Sequence, residues 1–126
     1  MEGYAVKVKE CSKKLTAKER IQIKDTTNSI KLDSATQQGD VLINPDYYAI
    51  LEIHNEKSDN PDYLNYVIVD KTGQKYVTGS ESFWSSFKGI YDEMAEDEGG
   101  EAWSVMATRI PSKNRPGKDF ITCYVV

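Results

Sequence analysis

Between Tyr4 and Lys9 apolar and polar positions alternate strictly, with Tyr4, Val6 and Val8 on one side and Lys7 and Lys9 on the other. Period two is the signature of a half-buried strand, here with a cationic wet face. Thr16-Ala17-Lys18-Glu19 has the form of a capping box that opens a helix, whereas Ile21-Gln22-Ile23-Lys24 alternates as a strand does, so residues 16–25 fit either element. Residues 28–32 and Val41-Leu42-Ile43 read as short strands, the second ending at the turn signal Asn44-Pro45-Asp46. Residues 47–54 form a nearly continuous apolar strand before the polar loop 55–62. Tyr66-Val67-Ile68-Val69 and Lys75-Tyr76-Val77-Thr78 flank Asp70-Lys71-Thr72-Gly73-Gln74, the strongest hairpin signal in the chain.

From Ser80 the period changes. Phe83, Phe87, Ile90, Tyr91 and Met94 make the apolar stripe of an amphipathic helix, with Thr78 or Ser80 as N-cap and Trp84 at the stripe's margin. An acidic loop around Gly99-Gly100 follows, and then a second hairpin: residues 103–110 and 119–126, joined by the basic segment Pro111 to Lys118. Many short strands and one late helix predict a mainly β domain spanning residues 1–126. A five-stranded barrel of the oligonucleotide-binding type would remove the exposed strand edges; an open antiparallel α+β sheet with one covering helix is the alternative. Barrel closure would set the first strand beside a late one.

The composition, 39% apolar and 29% charged over 126 residues, is that of a globular chain, and no apolar run approaches the ~20 residues a membrane helix needs. The N-terminal stretch lacks the apolar core of a leader and there is no Asn-x-Ser/Thr acceptor, so a cytoplasmic location is the expectation. Two cysteines far apart, Cys11 and Cys123, and a single histidine, His54, supply neither a disulfide framework nor a zinc set. Cys123 reads as a core thiol and His54 as a structural residue at a strand end.

Charge separates along the chain. Residues 1–32 carry +4, residues 33–103 carry -11 and residues 104–126 carry +3, within a net charge of -4. The two basic ends would share a positive face if they paired in one sheet. Catalytic motifs are missing: there is no phosphate-binding Gly-rich loop, no Gly-x-Ser-x-Gly elbow and no His-Glu-x-x-His, and the acidic run lacks the spacing of a calcium loop. No catalytic residue, metal or cofactor is therefore assigned. A binding module fits better, because cations that follow phosphates and aromatic faces that stack bases are what single-stranded nucleic acid requires. Arg109, Lys113, Arg115 and Lys118 cluster in and around the second hairpin, with Trp103 and Tyr124 on its strands, and Tyr4, Lys7 and Lys9 on the first strand would complete the surface. Core packing is the competing role for Trp103, Phe120 and Tyr124, and the one favoured for the first two.

The segment 75–84, Lys-Tyr-Val-Thr-Gly-Ser-Glu-Ser-Phe-Trp, with its helix, and the closing segment 111–123, Pro-Ser-Lys-Asn-Arg-Pro-Gly-Lys-Asp-Phe-Ile-Thr-Cys, resemble small single-stranded DNA-binding proteins of Gram-positive phages and integrative elements. The resemblance covers mainly residues 64–126. It implies a non-catalytic protein that coats single-stranded DNA in replication or recombination, with a host or phage replication protein as a further partner and a homodimer compatible with that role. The chain departs from the familiar bacterial single-strand binders in ending on Tyr124-Val125-Val126, without an acidic docking tip; its acidic run, Asp92, Glu93, Glu96, Asp97 and Glu98, lies internally. The other reading makes that run a partner-binding surface: an inhibitor or adaptor that engages a host protein by imitating a phosphate backbone.

Overall fold

A computed structural model describes residues 3–97, 99, 102–112 and 117–126. The chain forms two compact units from interleaved segments, residues 1–30 with 46–79 and residues 31–45 with 80–126. Both are built on antiparallel sheet, so the fold is mainly β with helices. Among the described residues the strands form two open ladders, one of five strands and one of three, with three helices and no closed barrel, so the open α+β alternative fits, though with two sheets and three helices where one of each was expected.

In the first unit the strands β1 (Tyr4–Cys11), β4 (Pro45–Asn55), β5 (Asp62–Asp70), β6 (Lys75–Thr78) and β2 (Ile30–Lys31) lie in the order β1-β4-β5-β6-β2. β1 thus pairs with β4 and not with a late strand. The reason is visible in the register, which sets Val6 against Ile53, Val8 against Leu51 and Lys7 against Glu52, matching apolar to apolar and cation to carboxylate. The register slips between Val8 and Glu10, so Lys9 is the extra residue of a β-bulge. That slip ends the alternation that placed Lys9 with Lys7, and it returns Cys11 to the side of Val6 and Val8, where all three pack on the core cluster of Leu15, Ile23, Leu51, Ile53, Val67 and Val77.

Residues 16–25 resolve as the helix α1 (Ala17–Lys24), opened by the full capping box: Glu19 N–H donates to Thr16 Oγ1 at 3.1 Å and Thr16 N–H to Glu19 Oε1 at 3.0 Å. Its far end is held by Lys75, whose Nζ donates to the carbonyls of Gln22 (2.7 Å) and Asp25 (2.6 Å), a cation where the helix dipole is negative. Ile23 is buried while Ile21 is 71% exposed, so a strand-like alternation of Ile residues sits on a helix with one inward contact. The β5–β6 hairpin forms as expected, with Tyr66 against Thr78 and Val69 against Lys75. Its turn is closed by Asp70, whose carboxylate accepts from Thr72 N–H, and by Gly73 at φ +92°, a conformation that favours glycine.

The second unit contains α2 (Leu32–Gln38), β3 (Val41–Ile43), α3 (Glu81–Ala95), β7 (Val105–Pro111) and β8 (Asp119–Val125), with sheet order β3-β7-β8. The strand expected at 28–32 shrinks to β2, because Leu32 instead begins α2, where it is fully buried and Thr36 Oγ1 donates back to its carbonyl at 2.7 Å. α3 is the amphipathic helix read from the sequence, N-capped by Ser80, with Phe83 and Phe87 fully buried and Trp84 nearly so. Ile90, expected with them in the core, is half-buried. None of the helices among the described residues is long and apolar enough to cross a membrane.

Candidate functional site

The second hairpin is the part of the chain where the sequence concentrates cations and aromatics, and its register defines two faces. Ala107 pairs with Cys123 and Arg109 with Ile121; Met106 pairs with Tyr124, Thr108 with Thr122 and Ile110 with Phe120. Because side chains alternate across a sheet, Val105, Ala107, Ile121 and Cys123 share one face and Met106, Thr108, Ile110, Phe120, Thr122 and Tyr124 the other. The first face is buried and joined by Ile43, which pairs with Val105. Burial pushes the Cys123 thiol up to about 12, which fits a core thiol and not a nucleophile.

The second face is exposed at its ends and bridged at its middle, where Thr122 Oγ1 lies 2.9 Å from Ser86 Oγ of α3. Phe120 is 36% exposed, Ile110 38%, Tyr124 49% and Leu42, which pairs with Met106, 48%. Large apolar side chains scattered over a surface are ordinary, but here they form one patch on one sheet face, with Thr108 and Thr122 between the two aromatic ends. Phe120 and Tyr124 are four residues apart on β8, about 14 Å along the strand. Lys118 is exposed at the start of β8, where Ser112 N–H donates to its carbonyl, and the alternation carries it to the same side. The Asp40 carboxylate reaches this face, accepting from Thr108 Oγ1 at 2.7 Å.

The remaining site expectations divide. Arg109 lies on the buried-face side, donating from Nη2 to the Asp33 carbonyl at 2.6 Å and to Thr36 Oγ1 at 3.3 Å, with Asp119 3.9 Å from Nη1. It fastens α2 to β7 and acts as a structural cation. Trp103 is half-buried and meets Tyr91 edge to face at 5.9 Å, closing a row of aromatic contacts that runs from Phe83 through Phe87 to Tyr91. Lys113 and Arg115 lie outside the described residues. Tyr4, Lys7 and Lys9 are exposed, but they belong to the other sheet, so the pairing that was to bring them beside the hairpin does not occur. Phe120, Ile110, Met106 and Leu42 are the functional candidates that the sequence reading left out. The strict alternation of the hairpin strands was the signal that could have grouped them.

In the acidic segment Asp92 is paired with Lys88 at 2.6 Å, Glu96 caps α3, and Glu93 and Asp97 are exposed; Glu98 lies outside the described residues. His54 is not buried: its Nδ1 is 2.7 Å from Asp62 Oδ1 and its Nε2 3.6 Å from Glu56 Oε1, and the bond to Asp62 raises its pKa. No group of three or more His, Cys, Asp or Glu side chains among the described residues is arranged to hold a metal ion. Compared with protein-family models, curated proteins and solved structures, the chain matches none.

Proposed function

We propose that this is a non-catalytic single-stranded DNA-binding protein of a phage or mobile element, acting in replication or recombination, and that its stacking surface is the second face of β3-β7-β8. The observation that carries this reading is the placement of Phe120 and Tyr124 on one solvent-facing sheet face, with apolar neighbours across the ladder and Lys118 at the rim. Bases offer π faces that aromatic side chains stack against, while phosphates ask only for cations nearby, so such a face suits a single strand and not a duplex whose bases are already stacked. Compared with the oligonucleotide-binding barrel expected from the sequence, the platform assigned here is an open ladder.

The test is a gel shift with a thirty-residue thymidine oligonucleotide, its duplex and the matching RNA at two salt concentrations. Preference for the single strand is expected, with a log-log salt slope of roughly -3 if about four or five phosphates are neutralised. Replacing Lys113, Arg115 and Lys118 together by Ala is expected to flatten that slope by about 2. Thermal stability is expected to stay nearly unchanged, since surface substitutions of this kind cost within ~0.5 kcal/mol. No detectable binding at low salt would overturn the reading and leave the acidic surface as the functional one.

A further inference from the structure

We propose that the chain forms a symmetric dimer through the outer edge of β1, residues 4–8 of two copies lying as antiparallel neighbours about a two-fold axis at Val6. β1 is an edge strand of the order β1-β4-β5-β6-β2. Its phase is fixed at both ends: Glu56 N–H donates to the Gly3 carbonyl at 2.8 Å and Ser12 N–H to the Tyr48 carbonyl at 3.1 Å. With Tyr4 opposite Asn55 and Val8 opposite Leu51, residues 3, 5 and 7 turn their backbone groups toward β4, and Tyr4, Val6 and Val8 turn theirs outward. Those outward N–H and C=O groups have no partner among the described residues. α1 reaches this strand from the core face, where Ile23 belongs to the cluster that Val6 and Val8 pack against, and Tyr4, Ala5 and Lys7 remain exposed.

An unpaired edge is a template for another strand, and native edges are commonly blunted by bulges and lysines. Here the bulge begins only after Val8, and Glu52 stands across the ladder from Lys7, so the segment 4–8 stays regular. The strand that fits it is the same segment of a second copy. With the axis at Val6, all the outward residues of the segment meet one another: Tyr4 faces Val8 of the second copy, Val6 faces Val6, and each pair exchanges both of its N–H···O bonds. An aromatic side chain then stands against a β-branched one at either end, a favourable cross-strand pair, and Lys7 lies opposite Ala5, so like charges do not face each other. Moving the axis one residue toward the bulge would set Lys7 against Lys7, and moving it one residue the other way would carry Val8 past Tyr4. The interface lies in the first unit, on a different sheet from the stacking face, and does not rest on nucleic-acid binding.

Sedimentation equilibrium of the full chain, from micromolar to millimolar concentration at neutral pH, is expected to show reversible dimerisation, the weak association that suits so small an interface. Val6→Pro is expected to weaken it about tenfold or more: the Val6 N–H points away from β4, so proline there removes no bond of the existing sheet and only those to the second copy. Ala5→Lys, which sets a lysine against Lys7 at two symmetric places, is expected to weaken dimerisation at least about threefold, and Ala5→Glu to strengthen it by a similar factor. Ala5 is exposed, so both of its variants are expected to melt like the parent, and they test the register even where proline disturbs β1. A chain monomeric throughout the range would overturn the proposal, as would a dimer unaltered in folded Val6→Pro, or Ala5→Lys and Ala5→Glu variants that dimerise alike. A dimer dissolved by Phe120→Ala with Tyr124→Ala would assign the contact to the other sheet and overturn it too. Binding of a blocked decapeptide of alternating Thr and Val to a monomeric chain, abolished by Val6→Pro, would give the edge to another protein and overturn the proposal equally.

Discussion

Replacing Phe120 and Tyr124 together by Ala is expected to weaken binding to a thymidine oligonucleotide by at least about thirtyfold, because each stacked base contributes on the order of 1–3 kcal/mol and tenfold in affinity is about 1.4 kcal/mol. The fold is expected to survive. Both side chains are more than a third exposed and lie on the face away from the buried Ile121 and Cys123, so their removal leaves no internal cavity. The salt slope is expected to stay that of the parent, since no phosphate contact is lost, whereas the triple hairpin variant changes the slope. Tyr124→Phe keeps the ring and is expected to bind nearly as the parent does. Unaltered affinity in the folded double variant would move stacking elsewhere. A parent dimer converted to monomer by the double substitution, with affinity intact, would make the face a contact between copies.

Much of the local structure was legible. The β5–β6 hairpin follows from a turn sequence whose Asp and Gly each have a defined task, and α3 follows from an apolar stripe at helical spacing behind a Ser N-cap. What the sequence hides is which face of a two-sided pattern turns inward. In β7 and β8 both parities are apolar: Val105, Ala107, Ile121 and Cys123 on one side, Met106, Ile110, Phe120 and Tyr124 on the other. The pattern alone favours the core for Phe120 and leaves Tyr124, with its polar tip, open to either side. Val105, Ala107, Ile121 and Cys123 face inward instead, in the same unit that buries Phe83 and Phe87. Strand partners were the second hidden quantity. Pairing of β1 with β4 joins residues about fifty positions apart, and its determinants, the match of Val6 to Ile53 and Lys7 to Glu52, become visible only once a register is known. The bulge at Lys9 is likewise invisible in an alternating stretch. Of the candidate site, the strands of the second hairpin form as read, the face that turns Phe120 and Tyr124 outward does not follow from the pattern, and Arg109 is a cation whose charge serves the fold.

Phe87→Ala is expected to be the most destabilising single truncation among these side chains. Phe87 is fully buried and lies at the centre of the aromatic row of the second unit, with ring centroids 6.0 Å from Phe83, 5.4 Å from Trp84 and 5.9 Å from Tyr91. Removing it deletes contacts to all three at once. Truncation of a buried Phe typically costs ~3–5 kcal/mol, from lost transfer energy and the cavity left behind, against the ~5–15 kcal/mol that holds a domain together. For a chain of this size the midpoint of thermal unfolding should fall by more than about 10 °C. α3 is fifteen residues long, near the length at which an isolated helix is marginal in water, so its helicity depends on this packing and is expected to fall with the midpoint. Phe87→Leu keeps most of the volume and is expected to lose much less. The fluorescence of Trp84, which touches Phe87, reports the loss directly. Oligonucleotide affinity, measured on the fraction that remains folded, is expected to match the parent, because Phe120 and Tyr124 face away from the buried side of the sheet. A Phe87→Ala protein that melts like the parent yet no longer binds DNA would place the helix stripe in the binding surface and return Phe120 to the core.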